Sequence, residues 1–179
     1  MLSETRTRSR RLSGKVQIAA CPQNREFSDR QKRFYAKYAS VTFKTLESPL
    51  FQRFLDWIMR RENIEERLVA SVQVELFPFR GENGKGLAGK YNSRGEIVIY
   101  PKRLEFCRRL VKDFEKEMVY FYIKARAKAT MIHELLHAKY SNDEAKVRRL
   151  TRKYFTIFAR HEGARNVNAD RIVDMIFMQ

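Results

Sequence analysis

The chain has 179 residues, 44% of them hydrophobic, which suffices for one domain with its own core, and its 37 Lys and Arg against 21 Asp and Glu give a formal net charge of +16. So basic a balance predicts acidic or polyanionic partners, nonspecific nucleic acid on a basic surface among them. Two cysteines without metal-site spacing argue against a disulfide framework, the longest apolar run (118–123) is too short to span a bilayer, and the N-terminus lacks a signal-peptide core. The expectation is a cytoplasmic protein with no membrane association.

Residues 1–24 are polar and loosely patterned, with Arg6, Arg8, Arg10, Arg11 and Lys15 among Ser and Thr. This predicts a flexible basic arm ahead of a single domain over 25–179. Cys21 in the arm suggests a thiolate that closes a metal site in a latent form, with only its position to support it.

Helices are predicted over 28–62. The first, 28–45, carries Phe34, Tyr38, Val41 and Phe43 along one side. Ser48-Pro49-Leu50 restarts the chain as a second helix to about residue 62, with Phe51, Phe54, Leu55, Trp57 and Ile58 on its apolar face. Trp57 reads as a packing anchor. A sheet is predicted over 68–101: residues 68–76 alternate as a strand, and a glycine-rich stretch, 81–89, leads into a hairpin turning at 92–95 whose second strand stops at Pro101. Gly81 to Gly86 lacks the Gly-Lys-Ser/Thr of a phosphate-binding loop.

More helices are predicted over 102–160. The first, 102–116, is basic and amphipathic, with Lys102, Arg103, Arg108, Arg109 and Lys112 as a cationic or simply solvated face. The next, 117–139, contains His133-Glu134-Leu135-Leu136-His137, and two of the chain's three histidines fall in that motif. Residues four apart stack on one helix face, so His133 and His137 can aim imidazole nitrogens at one zinc ion (Zn2+). Glu134, rotated by about 100°, stands where it can take a proton from water while zinc polarises a carbonyl. Apolar neighbours Met131, Ile132, Leu135 and Leu136 predict a helix buried in the core.

Such a site needs a third protein ligand. Tyr140-Ser141-Asn142 reads as a tight break before a helix over 144–160, which would fold back over His137. Glu144 shares a face with Val147, Thr151 and Tyr154 and is the favoured ligand; Asp143 is the alternative and also a good N-cap. His161 and Glu162 are more distant ligand candidates, and Tyr140 and His161 are candidates to stabilise an oxyanion. In the tail, 166–179, Asn168-Ala169-Asp170 would cap a short helix over 172–177.

The order strand, glycine-rich hairpin, strand, then a helix bearing His133-Glu134-Leu135-Leu136-His137 resembles the zincin metallopeptidases over about residues 69–160. With Glu144 on the next helix it is similar to the gluzincins, the small archaeal minigluzincins in particular. The resemblance implies an α+β fold, a small twisted sheet with the hairpin packed on the active-site helix, with the N-terminal helices as additions. It implies a zinc-dependent endopeptidase with His133, His137 and Glu144 as metal ligands, Glu134 as general base, and peptide or protein substrates. Peptide would lie as an added strand along residues 96–100, taken as a sheet edge or else an ordinary inner strand. It also implies latency, with 166–179 as a plug of the cleft where simple core packing is the alternative. The basic character suits the SprT-like proteases that act on proteins attached to DNA, although their third ligand is normally histidine. A different class again is a DNA-binding protein on a degenerate zincin scaffold.

Overall fold

Three helix starts are written into the local sequence. Ser28 caps α1 (Asp29–Leu46): its hydroxyl accepts from the Gln31 N–H while the Gln31 side chain accepts from the Ser28 N–H, a reciprocal capping box. Ser48 caps α2 (Pro49–Glu62), with proline at the first helical position where no N–H is needed. α2 ends at Asn63, whose left-handed φ of 51° closes the helix. The third start, at Asp143, belongs to the site described below.

The computed structural model describes residues 12, 14–20, 26–79, 86–113, 116–162 and 174–177. Besides α1 and α2 it contains strands β1 (Val16–Ile18), β2 (Ser71–Val74), β3 (Gly89–Tyr91) and β4 (Glu96–Ile99), and helices α3 (Leu104–Asp113), α4 (Lys116–Tyr140) and α5 (Glu144–His161). A 3₁₀ turn at Glu66–Leu68 precedes β2, and 174–177 form a helical turn. The fold is α+β with a four-stranded mixed sheet in the order β1-β2-β4-β3: β1 and β4 run parallel to β2, and β3 is antiparallel to β4. Among the described residues no helix is long and apolar enough to cross a membrane.

Two expectations are overturned here. The arm over 1–24 is not wholly outside the domain: Leu12 and Val16 are buried, and β1 pairs along β2 with Val16 opposite Val72. Three residues are too few to show alternation, and a parallel partner 56 positions away leaves no local signature. Residues 96–100 are not a sheet edge either, because β4 is hydrogen-bonded on both sides. The open edge beside α4 is β3. Residues 1–11, Cys21, 81–85 and 163–173 lie outside the described residues.

The β3–β4 turn is held from within. Asn92 Oδ1 accepts from the Arg94 and Glu96 N–H groups at 2.9 and 3.1 Å. Gly95 sits at φ 78°, and a Cβ there would stand 2.8 Å from the Leu68 carbonyl. Gly95→Ala is therefore expected to cost more than about 1 kcal/mol in a denaturant melt, since strain and contact act together.

α4 runs through the middle of the molecule. Tyr122, Ile132, Leu135 and Leu136 are fully buried on it, and it packs against α1, α3 and α5 as well as β3 and β4. A helix enclosed on so many sides does not show a single apolar stripe. Each of those side chains contributes about 1.5–3 kcal/mol of apolar burial, which holds the residues between them in one position. Glu62 at the end of α2 ties in the far end: it accepts from the Tyr140 and Tyr154 hydroxyls, while Lys139 donates to its main-chain carbonyl. Burial alone would raise the Glu62 pKa, but these hydroxyls and the Lys139 charge outweigh it and hold the carboxyl below the usual range. The α4–α5 turn is thereby anchored to α2.

Candidate metal centre

The chain leaves α4 at Tyr140, turns through Ser141 and Asn142, and re-enters a helix at once. Asp143 is the N-cap of that helix, accepting from the Lys146 N–H at 3.0 Å. Its Oδ1 is thus committed to the backbone, and the next residue swings over the histidines. Glu144 Oε2 lies 3.3 Å from His137 Nε2, Glu144 Oε1 lies 3.8 Å from His133 Nε2, and the two Nε2 atoms are 3.1 Å apart. One donor atom from each residue falls within 4.8 Å of the others.

Two imidazole nitrogens and one carboxylate oxygen are a donor set suited to zinc. Ligands at 2.0–2.1 Å in a tetrahedron stand about 3.3 Å apart, close to the separations found here. The histidine side chains are 24% and 18% exposed and that of Glu144 is 49% exposed, so the cluster opens to solvent on one side. Arg148, one turn along α5, donates to Glu144 Oε1 at 2.6 Å and fixes the carboxylate. Burial tends to raise the Glu144 pKa, but the Arg148 bond and the nearby histidines pull it below the usual range.

His133 is oriented from behind. Thr151 gives its hydroxyl proton to the Val147 carbonyl at 2.8 Å and so faces His133 Nδ1 as an acceptor at 3.4 Å. The matching tautomer carries its proton on Nδ1 and turns the Nε2 lone pair toward His137 and Glu144. Burial, with the adjacent His137, pushes the His133 pKa down to about 4, which keeps the ring neutral. Thr151→Val is expected to weaken zinc binding about tenfold, the low end for loss of an outer partner, measured by chelator competition.

Glu134 is buried against β3, and burial, helped by the repulsion of Glu144, pushes its pKa up to about 7 despite a hydrogen bond from the Tyr91 N–H. The close approach requires Gly89: a Cβ there would stand 2.6 Å from Thr130 Cγ2 and 2.8 Å from Glu134 Cγ and Oε1. Asn92 N–H bonds to the Glu96 carbonyl and Tyr100 N–H to the Ala88 carbonyl. By the alternation of an antiparallel pair, the main-chain groups of Gly89 and Tyr91 therefore point away from β4, toward α4 and the open groove. The groove follows one face of α4 past Tyr122, Arg126, Thr130 and His133 to His137.

The structure thus brings together His133, His137, Glu144 and Glu134, and leaves Asp143 as a cap. Tyr140 and His161 do not join them: the Tyr140 hydroxyl is bonded to Glu62, and His161 closes α5 at its opposite end. Glu162 pairs instead with buried Lys128 at 2.5 Å. Cys107 is buried, and that burial pushes its thiol up to about 11, a packing role rather than a reactive one. Ile176 and Phe177 line the groove, with Phe177 edge-on to Phe155 of α5, so this turn of the tail is part of the wall. Gly89, Tyr91 and Thr151 were missed as site residues in the sequence. Only Thr151 left a trace there, one heptad beyond Glu144 on the same face.

No protein-family model, curated protein or solved structure matches the chain, so the functional reading rests on these residues and their geometry.

Proposed function

We propose that the chain is a zinc-dependent endopeptidase of zincin type, with His133, His137 and Glu144 as the metal ligands. The observation that carries this is the convergence of both Nε2 atoms and the Glu144 carboxylate beside a buried glutamate, on the open side of an otherwise filled core. Zinc bound there would supply a Lewis acid for the scissile carbonyl and make water more acidic near neutral pH. Glu134 takes the proton of the attacking water and returns it to the leaving amine. The outward main-chain groups of Gly89 and the Tyr91 carbonyl on β3 hold an extended peptide by strand addition, which accepts any side chain, while the Tyr91 N–H stays with Glu134. This replaces residues 96–100 as the binding edge. The described turn of the tail, 174–177, forms groove wall, with Ile176 and Phe177 packed against the core.

Zinc content and casein hydrolysis test the reading. One zinc per chain is expected, with cleavage lost to a chelator and restored by zinc. Protein that takes up no zinc from excess metal would sink it.

A second reading, a polyanion-binding protein on the same scaffold, is favoured by Arg148, Arg149 and Arg152, all exposed on α5 beside the groove. Strongly salt-dependent DNA binding without any peptide cleavage would point to it.

A further inference from the structure

Arg126 is a buried cation on the groove wall. It is 6% exposed, lines the groove, and donates through Nη1 to the Tyr100 carbonyl at 2.6 Å. Among the described residues no carboxylate lies within ion-pair distance of it. A guanidinium has five N–H donors, more than the Tyr100 carbonyl and the adjacent Tyr38 hydroxyl can occupy, and a charge taken out of water is strongly disfavoured unless something compensates it.

Its neighbours add positive charge. Lys102 leads into α3, and burial together with the Arg126 charge holds its ammonium below the usual lysine range. Arg103 and Arg109 line the same stretch, where Glu105 is the one acid among the described lining residues outside the metal cluster and Glu134. Arg126 thus sits in a predominantly basic stretch of the groove wall.

The spacing says where that anion would sit. Arg126 precedes His133 by seven residues, so it lies on the same face of α4, about 10 Å along the axis. Tyr100, which holds Arg126, pairs with Ala88 at the start of the open edge. An extended peptide advances about 3.3 Å per residue. A chain laid along β3 with its scissile bond at the histidines therefore brings a group about three residues away over Arg126.

We propose that Arg126 is a carboxylate-binding residue of the groove that selects peptides with an acidic group about three residues from the scissile bond, on the α3 side. The selectivity rests on the peptidase reading above. The carboxylate is supplied by an Asp or Glu side chain or by the peptide's own C-terminus.

The test is cleavage of a random-peptide mixture by the zinc-loaded full chain, with cut sites read by mass spectrometry. Asp and Glu are expected to be enriched roughly tenfold about three positions to one side of the cut, the worth of one charge-assisted hydrogen bond. Cuts confined to about three residues from a free C-terminus, and absent from amidated peptides, would support the same residue acting on the terminal carboxylate. Arg126→Met should erase the preference while other sequences are still cut, and Arg126→Lys should restore part of it. If Arg126→Met does not fold, Arg109→Ala decides instead, lowering the preference without abolishing cleavage. Cleavage by wild type with no acidic preference overturns this inference and leaves the peptidase standing. Competition by a single-stranded oligonucleotide in the absence of any acidic preference assigns the cations to nucleic acid and likewise overturns it. No cleavage of any peptide by the zinc-loaded chain removes the peptidase reading and this inference together.

Discussion

Glu134→Gln is expected to slow peptide hydrolysis by about 10²–10⁴-fold while the zinc content stays at one per chain. Glutamine has the shape of glutamate and keeps an oxygen to accept the Tyr91 N–H, so the contacts with Gly89 and Thr130 survive. What it lacks is the ability to take a proton from water. Binding of metal and peptide should therefore be retained, and the loss should fall on kcat rather than on KM, because the missing interaction operates only as the reaction proceeds. Wild-type activity in this variant would remove Glu134 from catalysis and require another base. Among the described groove residues the other acids are Glu105, distant on α3, and Glu144, already beside the histidines.

The second large effect separates two adjacent acids. Glu144→Ala is expected to weaken zinc binding by more than about 100-fold, beyond the 10–100-fold typical of losing an outer partner, because a donor atom itself is removed. Asp143→Ala is expected to keep the zinc and lose about 1 kcal/mol of stability, the usual cost of an N-cap. The asymmetry follows from geometry. Asp143 accepts from the Lys146 N–H, whereas Glu144 reaches 3.3 Å from His137 Nε2 and is steadied by Arg148. Metal analysis of both variants with thermal melts reads both halves. Zinc lost from Asp143→Ala and kept by Glu144→Ala would reverse the assignment and imply that the α5 N-terminus rearranges around the metal.

The meeting of His133, His137 and Glu144 was largely legible from local spacing. His133 and His137 meet because a helix places residues four apart on one face, and the apolar residues around them announced a buried helix. Ser28, Ser48 and Asp143 mark helix starts through hydrogen bonds to residues three positions on, so the starts of α1, α2 and α5 could be read almost to the residue. Even Glu144 followed from helical phase once a tight turn was recognised after Tyr140. Interactions that close within a few residues carry their own signature in the chain.

What only the tertiary structure decided depends on partners far apart in sequence. Whether β4 is an edge depends on β2 pairing along one side of it and β3 along the other, and alternation within residues 96–100 is the same in either case. β1 was hidden for the same reason, a three-residue strand whose meaning comes entirely from β2. Gly89 looked like one glycine in a glycine-rich loop. It matters because packing brings β3 against Thr130 and Glu134 on a helix more than forty positions later. Arg126 is the clearest case. Its heptad spacing from His133 was always in the sequence, but its burial, its bond to Tyr100 and the want of a described acid beside it exist only once α4 has been enclosed. Periodicity and capping determined which residues share a helix face, while long-range packing determined which of those faces border the groove and what they meet there.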